Sequence, residues 1–203
     1  MLSGEGDISE LSRGRIVRFV TGNRHKFQEA QRILSSYSFE IEMTKEKTLE
    51  VQDKDLETIA ATSVRDAKNQ VSGPIIVEDA GLFIESLNSF PGPYSAYVYE
   101  TLGCEGVLKL LEGQEDRRAE FRSAIAYIDD LMKPAVKIFL GVATGRISME
   151  MRGRHGFGFD PVFIPEEQSS TFGEMSLEEK NRYSHRAKSL KAFASWYLTD
   201  PQG

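Results

Sequence analysis

A single cysteine, Cys104, among 203 residues leaves no internal disulfide to consider and fits a reducing compartment. Long apolar runs are missing as well. No stretch approaches the roughly 20 residues that span a bilayer, and residues 1–14 lack the apolar centre of a secretory signal, so a cytoplasmic protein without membrane attachment is expected. There is no basic excess either: 25 Lys and Arg stand against 31 Asp and Glu, a net charge of −6. That balance argues against a broad nucleic-acid surface and requires any phosphate-bearing ligand to meet a local basic cluster. The three histidines, Cys104 and the acids show no zinc spacing, and neither G-x-S-x-G nor a Walker loop occurs. Internal repeats and low-complexity linkers are also absent.

Hydrophobic residues make up 40% of the chain, an ordinary share for one domain. Residues 1–14, polar and glycine-bearing, read as a weakly ordered extension ahead of a single domain over 15–203. Arg15–Val20 (RIVRFV) reads as a buried strand delivering its end to Thr21-Gly22-Asn23. A helix follows with Asn23 as its N-cap and Phe27, Ala30 and Leu34 at helical spacing. Phe39–Met43 is a second strand. Leu56, Ile59, Ala60, Val64, Ala67 and Val71 form the stripe of a helix that Gly73-Pro74 stops. Ile75–Val77 is a strand ending in Glu78 and Asp79, followed by an Ala80-Gly81 break and the rigid loop of Pro91, Gly92 and Pro93. Gly106–Leu111 is a short helix, and Ala119–Ile128 with Val136–Ile147 an antiparallel pair. The order predicts an α/β fold with a mixed sheet and flanking helices.

Several stretches suit chemistry, each with a plainer rival. Thr21, Gly22, Asn23, Arg24, His25 and Lys26 stand between strand and helix, where backbone N–H groups, a glycine and a lysine suit a phosphate; a polar helix cap is the competing reading. Asp79 with the distant Glu50 could hold Mg²⁺, which prefers one or two carboxylates plus water and substrate phosphates; solvated turn acids are the alternative. Lys68, about 40° round its helix from Val64, has the position of a snorkelling structural lysine. Phe157, Gly158, Phe159 and Asp160 offer aromatics to stack on a base, against the rival of core packing. Within Glu174–Leu190, Ser176 and Glu179 make a capping box. On one unbroken helix, His185 and Arg186 would lie about 140° and 240° round from Lys180, so a break near Asn181–Ser184 is predicted, with Ser184 capping a second helix whose first turn faces an anion.

Taken together, TGNRHK, TLEVQ, AKNQ, VEDAGLFIESLNSFPGPYSA, GFGFDPVFIP and TFGEMSLEEKNRYSHRAKSL, in order over Arg15 to Leu190, resemble the inosine triphosphate pyrophosphatase family. The resemblance implies an enzyme that hydrolyses ITP, dITP and XTP to the monophosphate and pyrophosphate with Mg²⁺. It also implies an elongated two-lobed fold with a central cleft and a homodimer. By matching positions, Thr21 to Lys26 and Lys68 would hold the triphosphate, Glu50 and Asp79 the metal, and Asp79 would activate water. Phe157 to Asp160, Lys180, His185 and Arg186 would form the base pocket. One departure is Ala80, where the family usually has serine. Two rivals remain: a related pyrophosphatase for other modified nucleotides, and a nucleotide sensor with weakened catalysis.

Overall fold

The computed structural model of the protein describes residues 15–49, 51–130 and 135–199. The expectation for residues 1–14 lies outside them, as does the one for Glu50. β1 (Arg15–Val20) leads into α1 (Arg24–Ser35), where Asn23 Oδ1 accepts the N–H groups of His25 and Lys26 at 2.9 and 3.1 Å. β2 (Phe39–Thr44) then returns beside β1 in parallel, and α2 (Leu56–Lys68) begins at Asp55, which caps Glu57 and Thr58. α2 ends earlier than Gly73-Pro74. The N–H groups of Asn69 and Gln70 bond back to the carbonyls of Asp66 and Ala67, tightening the last turn, and Val71 is buried beyond it.

The larger difference is β3 (Ile75–Ile84), a ten-residue strand that runs straight through Glu78, Asp79, Ala80 and Gly81 where an end and a break are expected. The reason is its partner. β5 (Arg118–Ile128) pairs with it antiparallel from Ile75↔Ile128 to Ile84↔Ala119 and supplies a continuous ladder. β6 (Lys137–Ile147) pairs in turn with β5, as the two apolar runs predict, and β7 (Phe163–Pro165) closes the edge. β4 (Phe90–Gly92) folds back on Leu82–Ile84, followed by α3 (Ser95–Thr101) and α4 (Gly103–Leu110). The mixed sheet runs β2-β1-β3-β5-β6-β7, with β4 beside β3.

Three cores divide the molecule into two lobes. In the first lobe, α1 and the last helix bury Phe19, Leu34, Ile76, Ile125, Leu190 and Phe193 on one face of the sheet. α2 buries Val20, Ala60, Val64 and Ile75 on the other face. The second lobe gathers Leu82, Ile84, Val107, Leu111, Phe121, Phe163 and Phe172. Each side chain of the Leu34 or Phe19 kind, fully buried, contributes about 1.5–3 kcal/mol before the cost of ordering it. The long strands β3, β5 and β6 run through both lobes. Away from β5, β3 is covered by β1 only at Ile75 and Ile76 and by β4 only at Leu82–Ile84. Between them the strand edge at residues 77–81 has no ladder partner among the described residues, and there the cleft opens. No helix among those residues is long and apolar enough to cross a membrane.

Candidate active site

The cleft, of about 520 Å³, is lined by the start of α1, the bare edge of β3, α3, the loop of Gly156–Asp160 and the last two helices. Its geometry follows from close backbone approaches. A Cβ on Gly81 would stand 2.2 Å from the carbonyl oxygen of Gly92, so the β4 loop can fold against β3 only over a glycine. Ser95 locks that fold: its hydroxyl accepts from the Leu82 N–H at 2.7 Å and donates to Gly92 O at 2.6 Å. Gly156 has φ +73°, and a Cβ there would meet Asp160 Oδ2 at 2.0 Å; the same oxygen accepts the Phe157 N–H at 2.8 Å.

The last helices are broken as the spacing predicts. α5 (Leu177–Tyr183) starts in the Ser176/Glu179 capping box, Ser184 turns extended with ψ 146°, and α6 (His185–Thr199) begins beyond it. Ser184 Oγ accepts the Ala187 N–H at 3.2 Å. The break brings Lys180, His185 and Arg186 to one cleft wall. The anion they meet, however, is the protein's own. Lys180 Nζ donates to Glu29 Oε1 at 2.7 Å and to Asp160 Oδ2 at 2.6 Å. Arg186 Nε stands 2.8 and 2.9 Å from the two oxygens of Glu78, and its Nη1 donates to Glu29 Oε2. Lys26 Nζ lies 3.4 Å from Glu78 Oε2, and Ser123 Oγ donates to Glu78 Oε1 at 2.8 Å.

Three cations, Lys26, Lys180 and Arg186, thus meet three carboxylates, Glu29, Glu78 and Asp160, and the network is formally neutral. Burial pushes Glu78 up, but Arg186 and Lys26 outweigh it and hold the carboxyl well below the usual range. Burial, aided by the charge of Glu29, pushes Asp160 up against the pull of Lys180. Asp79 is the fourth carboxylate, without a matching cation of its own. Among the described residues its Oδ2 is buried with no hydrogen-bond partner, and burial together with the charge of Glu78 pushes its pKa up to about 6 despite Lys26. A buried, unpartnered carboxylate oxygen on a cleft wall fits a divalent cation.

Part of the lining is aromatic. Phe157 stacks on His25 with centroids 5.2 Å apart and planes at 17°, and Lys180 Nζ and the Arg186 guanidinium lie 5.1 and 5.4 Å from its ring centre. Phe159 is buried and meets Tyr99 edge-on at 5.4 Å. His185 stacks on Phe121 at 4.7 Å, its Nδ1 unpartnered among the described residues; burial first, then Arg186, hold it far below the usual histidine value, so it stays neutral at pH 7.

Of the residues singled out from the sequence, Asn23, His25, Lys26, Asp79, Ala80, Phe157, Gly158, Phe159, Asp160, Lys180, His185 and Arg186 line this cleft. Thr21, Gly22 and Arg24 do not, although Gly22 has open space where a Cβ would stand. Lys68 stands apart: its ammonium is 2.5 Å from Asp130 and donates to Gly73 O at 2.9 Å, beside the start of β3. Sequence reasoning passed over Glu29. A signal was present, because Glu29 shares the buried face of Ala30, Ile33 and Leu34, where a charge requires a partner.

The profile of the Ham1 family matches residues 17–196. A dITP/XTP pyrophosphatase of Methanopyrus kandleri is 50% identical over 92% of this chain and 98% of its own. Another, from Pyrococcus horikoshii, is 51% identical over 88% and 94%. Among solved structures, a HAM1 protein from Coxiella burnetii superposes with a TM-score of 0.79 at 30% identity, covering 91% of this chain and 98% of the other.

Proposed function

The chain belongs to the Ham1 family, and from that premise we propose that it hydrolyses deaminated purine nucleoside triphosphates, dITP, XTP and ITP, to the monophosphate and pyrophosphate. The observation that carries the reading is one cleft that holds both a buried carboxylate oxygen on Asp79, unpartnered among the described residues, and a donor-bearing aromatic wall at Phe157, Lys180, His185 and Arg186.

In this reading the phosphates lie along Lys26 and Asn23 and extend past the cleft lining toward Thr21, Gly22 and Lys68, whose ammonium is paired with the exposed Asp130. Asp79 takes the proton from water as the water oxygen bonds to the α-phosphorus. The bond from that phosphorus to its bridging oxygen breaks, and pyrophosphate leaves with the electron pair. In the metal-free protein the Asp79 carboxyl, raised to about 6, is still ionised at neutral pH and so available to a cation or a proton. Asp79, with Glu50 as the second carboxylate that the resemblance implies, would hold Mg²⁺. When bound, that ion neutralises phosphate charge and stabilises the leaving group. Among the described residues no group of three or more His, Cys, Asp or Glu could hold a metal alone, so the ion would need water and substrate oxygens as further ligands. Ala80 brings no hydroxyl to the cleft.

Base choice follows from donors. Hypoxanthine and xanthine present O6 as an acceptor where adenine presents an amino group, and the wall offers N–H donors from Lys180 and Arg186. Adenine would leave donors facing donors, at about 1–3 kcal/mol for each unpaired group. The reading takes the protein as a cytoplasmic homodimer acting on free nucleotides, and its net charge of −6 supports a small ligand over a polyanion. The test is a pyrophosphate-release screen over ITP, dITP, XTP, GTP, ATP and modified and ordinary pyrimidine triphosphates, with and without Mg²⁺. Deaminated purines should exceed ATP by at least about tenfold, or about 1.4 kcal/mol. Equal rates, or a preference for modified pyrimidines, would overturn the proposal.

A further inference from the structure

Glu29 takes no part in the chemistry above, yet it is only 3% exposed on α1. An ionised carboxylate is costly to bury unless cations and hydrogen bonds surround it. Both of its oxygens are used. Oε1 accepts from Lys180 Nζ at 2.7 Å and Oε2 from Arg186 Nη1. Burial raises its pKa, but Arg186 and Lys180 outweigh burial and hold the carboxyl below its ordinary value. These two cations belong to different helices, α5 and α6, on either side of the break at Ser184. Asp160 pairs with Lys180 and Glu78 with Arg186; among the described residues Glu29 is the carboxylate that joins both.

The donor count gives the consequence. An ammonium carries three N–H groups, of which Glu29 and Asp160 take two, leaving one at the cleft wall. A guanidinium carries five. Glu78 engages Nε and Glu29 one N–H of Nη1, while Nη2 has no hydrogen-bond partner among the described residues. The carboxylates take half of these eight donors and fix the two cations that carry the rest.

We propose that Glu29 is the positioning residue for base discrimination: it holds Lys180 and Arg186 in register across the α5–α6 break, so that their remaining donors meet the O6 edge of the purine together. This assignment rests on the activity proposed above. Neutralising buried charge is the rival role, and it makes a different prediction, since it lowers stability and acts equally on every substrate.

The experiment measures kcat and KM for ITP and ATP, with Mg²⁺, in the wild type, Glu29→Gln and Glu29→Asp, alongside thermal melting. Gln keeps the shape and loses the charge; Asp keeps the charge and withdraws it from both helices. The expected result is a KM for ITP raised about tenfold, a kcat changed less than about threefold, and an ITP-over-ATP ratio of kcat/KM reduced about tenfold in both variants. If Glu29→Gln does not fold, Glu29→Asp decides alone. A ratio within about twofold of wild type in a folded variant, whatever its melting point, overturns the assignment. A wild type without preference for ITP overturns the proposed activity and this assignment with it, whereas a selective wild type with equally selective variants overturns the assignment alone.

Discussion

Lys180→Met is the sharpest probe of the buried network. Methionine retains the length and apolar stem of lysine, so the change removes chiefly the charge. Lys180 Nζ is 2.7 Å from Glu29 and 2.6 Å from Asp160, with a side chain 2% exposed. Glu29 keeps Arg186 as a partner; among the described residues Asp160 keeps only the Phe157 N–H. Removing one partner of a buried pair costs about 3–5 kcal/mol, and the surviving Arg186 pair points to the lower end, about 3 kcal/mol. Against a total stability of about 5–15 kcal/mol that is a large fraction. Guanidinium unfolding at neutral pH should show a lower midpoint with an unchanged slope. The pH dependence has a definite sign. Burial and Glu29 already raise Asp160, and loss of Lys180 raises it further above its unfolded value of about 3.9. A carboxyl whose folded pKa is raised costs stability above the unfolded pKa and none below it. The deficit relative to wild type should therefore shrink as pH falls from about 7 toward about 4. A loss under about 1 kcal/mol, or a deficit that does not change over that window, refutes the reasoning.

Two further outcomes are expected. Asp79→Asn should reduce kcat by about 10²–10⁴ without lowering the melting point, because the carboxyl it replaces is raised to about 6 and has an oxygen without a partner; near-normal turnover removes Asp79 from the mechanism. Gly141→Ala should displace the first turn of α6, since a Cβ there would stand 2.0 Å from His185 O and 2.5 Å from Ser189 N, both backbone atoms. Strain of about 1–3 kcal/mol and a loss of about 10² in kcat/KM should appear together, and wild-type kinetics in this variant would show that the contact does not hold Arg186 in place.

Local physics wrote much of this molecule into the chain order. The apolar run of Arg15–Val20, the Asn23 cap and the Ser176/Glu179 box are decided within a few residues, and each stands where spacing put it. The break at Ser184 was legible too, because three side chains that must share a wall could not share one helix. β3 was not. Glu78 to Gly81 look like a strand end by propensity, and only the ladder from β5, some 40 residues later in the chain, carries the strand through them. Whether a cation is free or spoken for also depends on distant residues. Lys180, Arg186 and Lys68 look alike along the chain, yet 151 residues separate Lys180 from Glu29 and 157 separate Arg186 from it. Burial strengthens such pairs and penalises any charge left out, so the assembled fold, and not the local sequence, decided which groups are neutralised and left Asp79 in the cleft wall without a cation of its own.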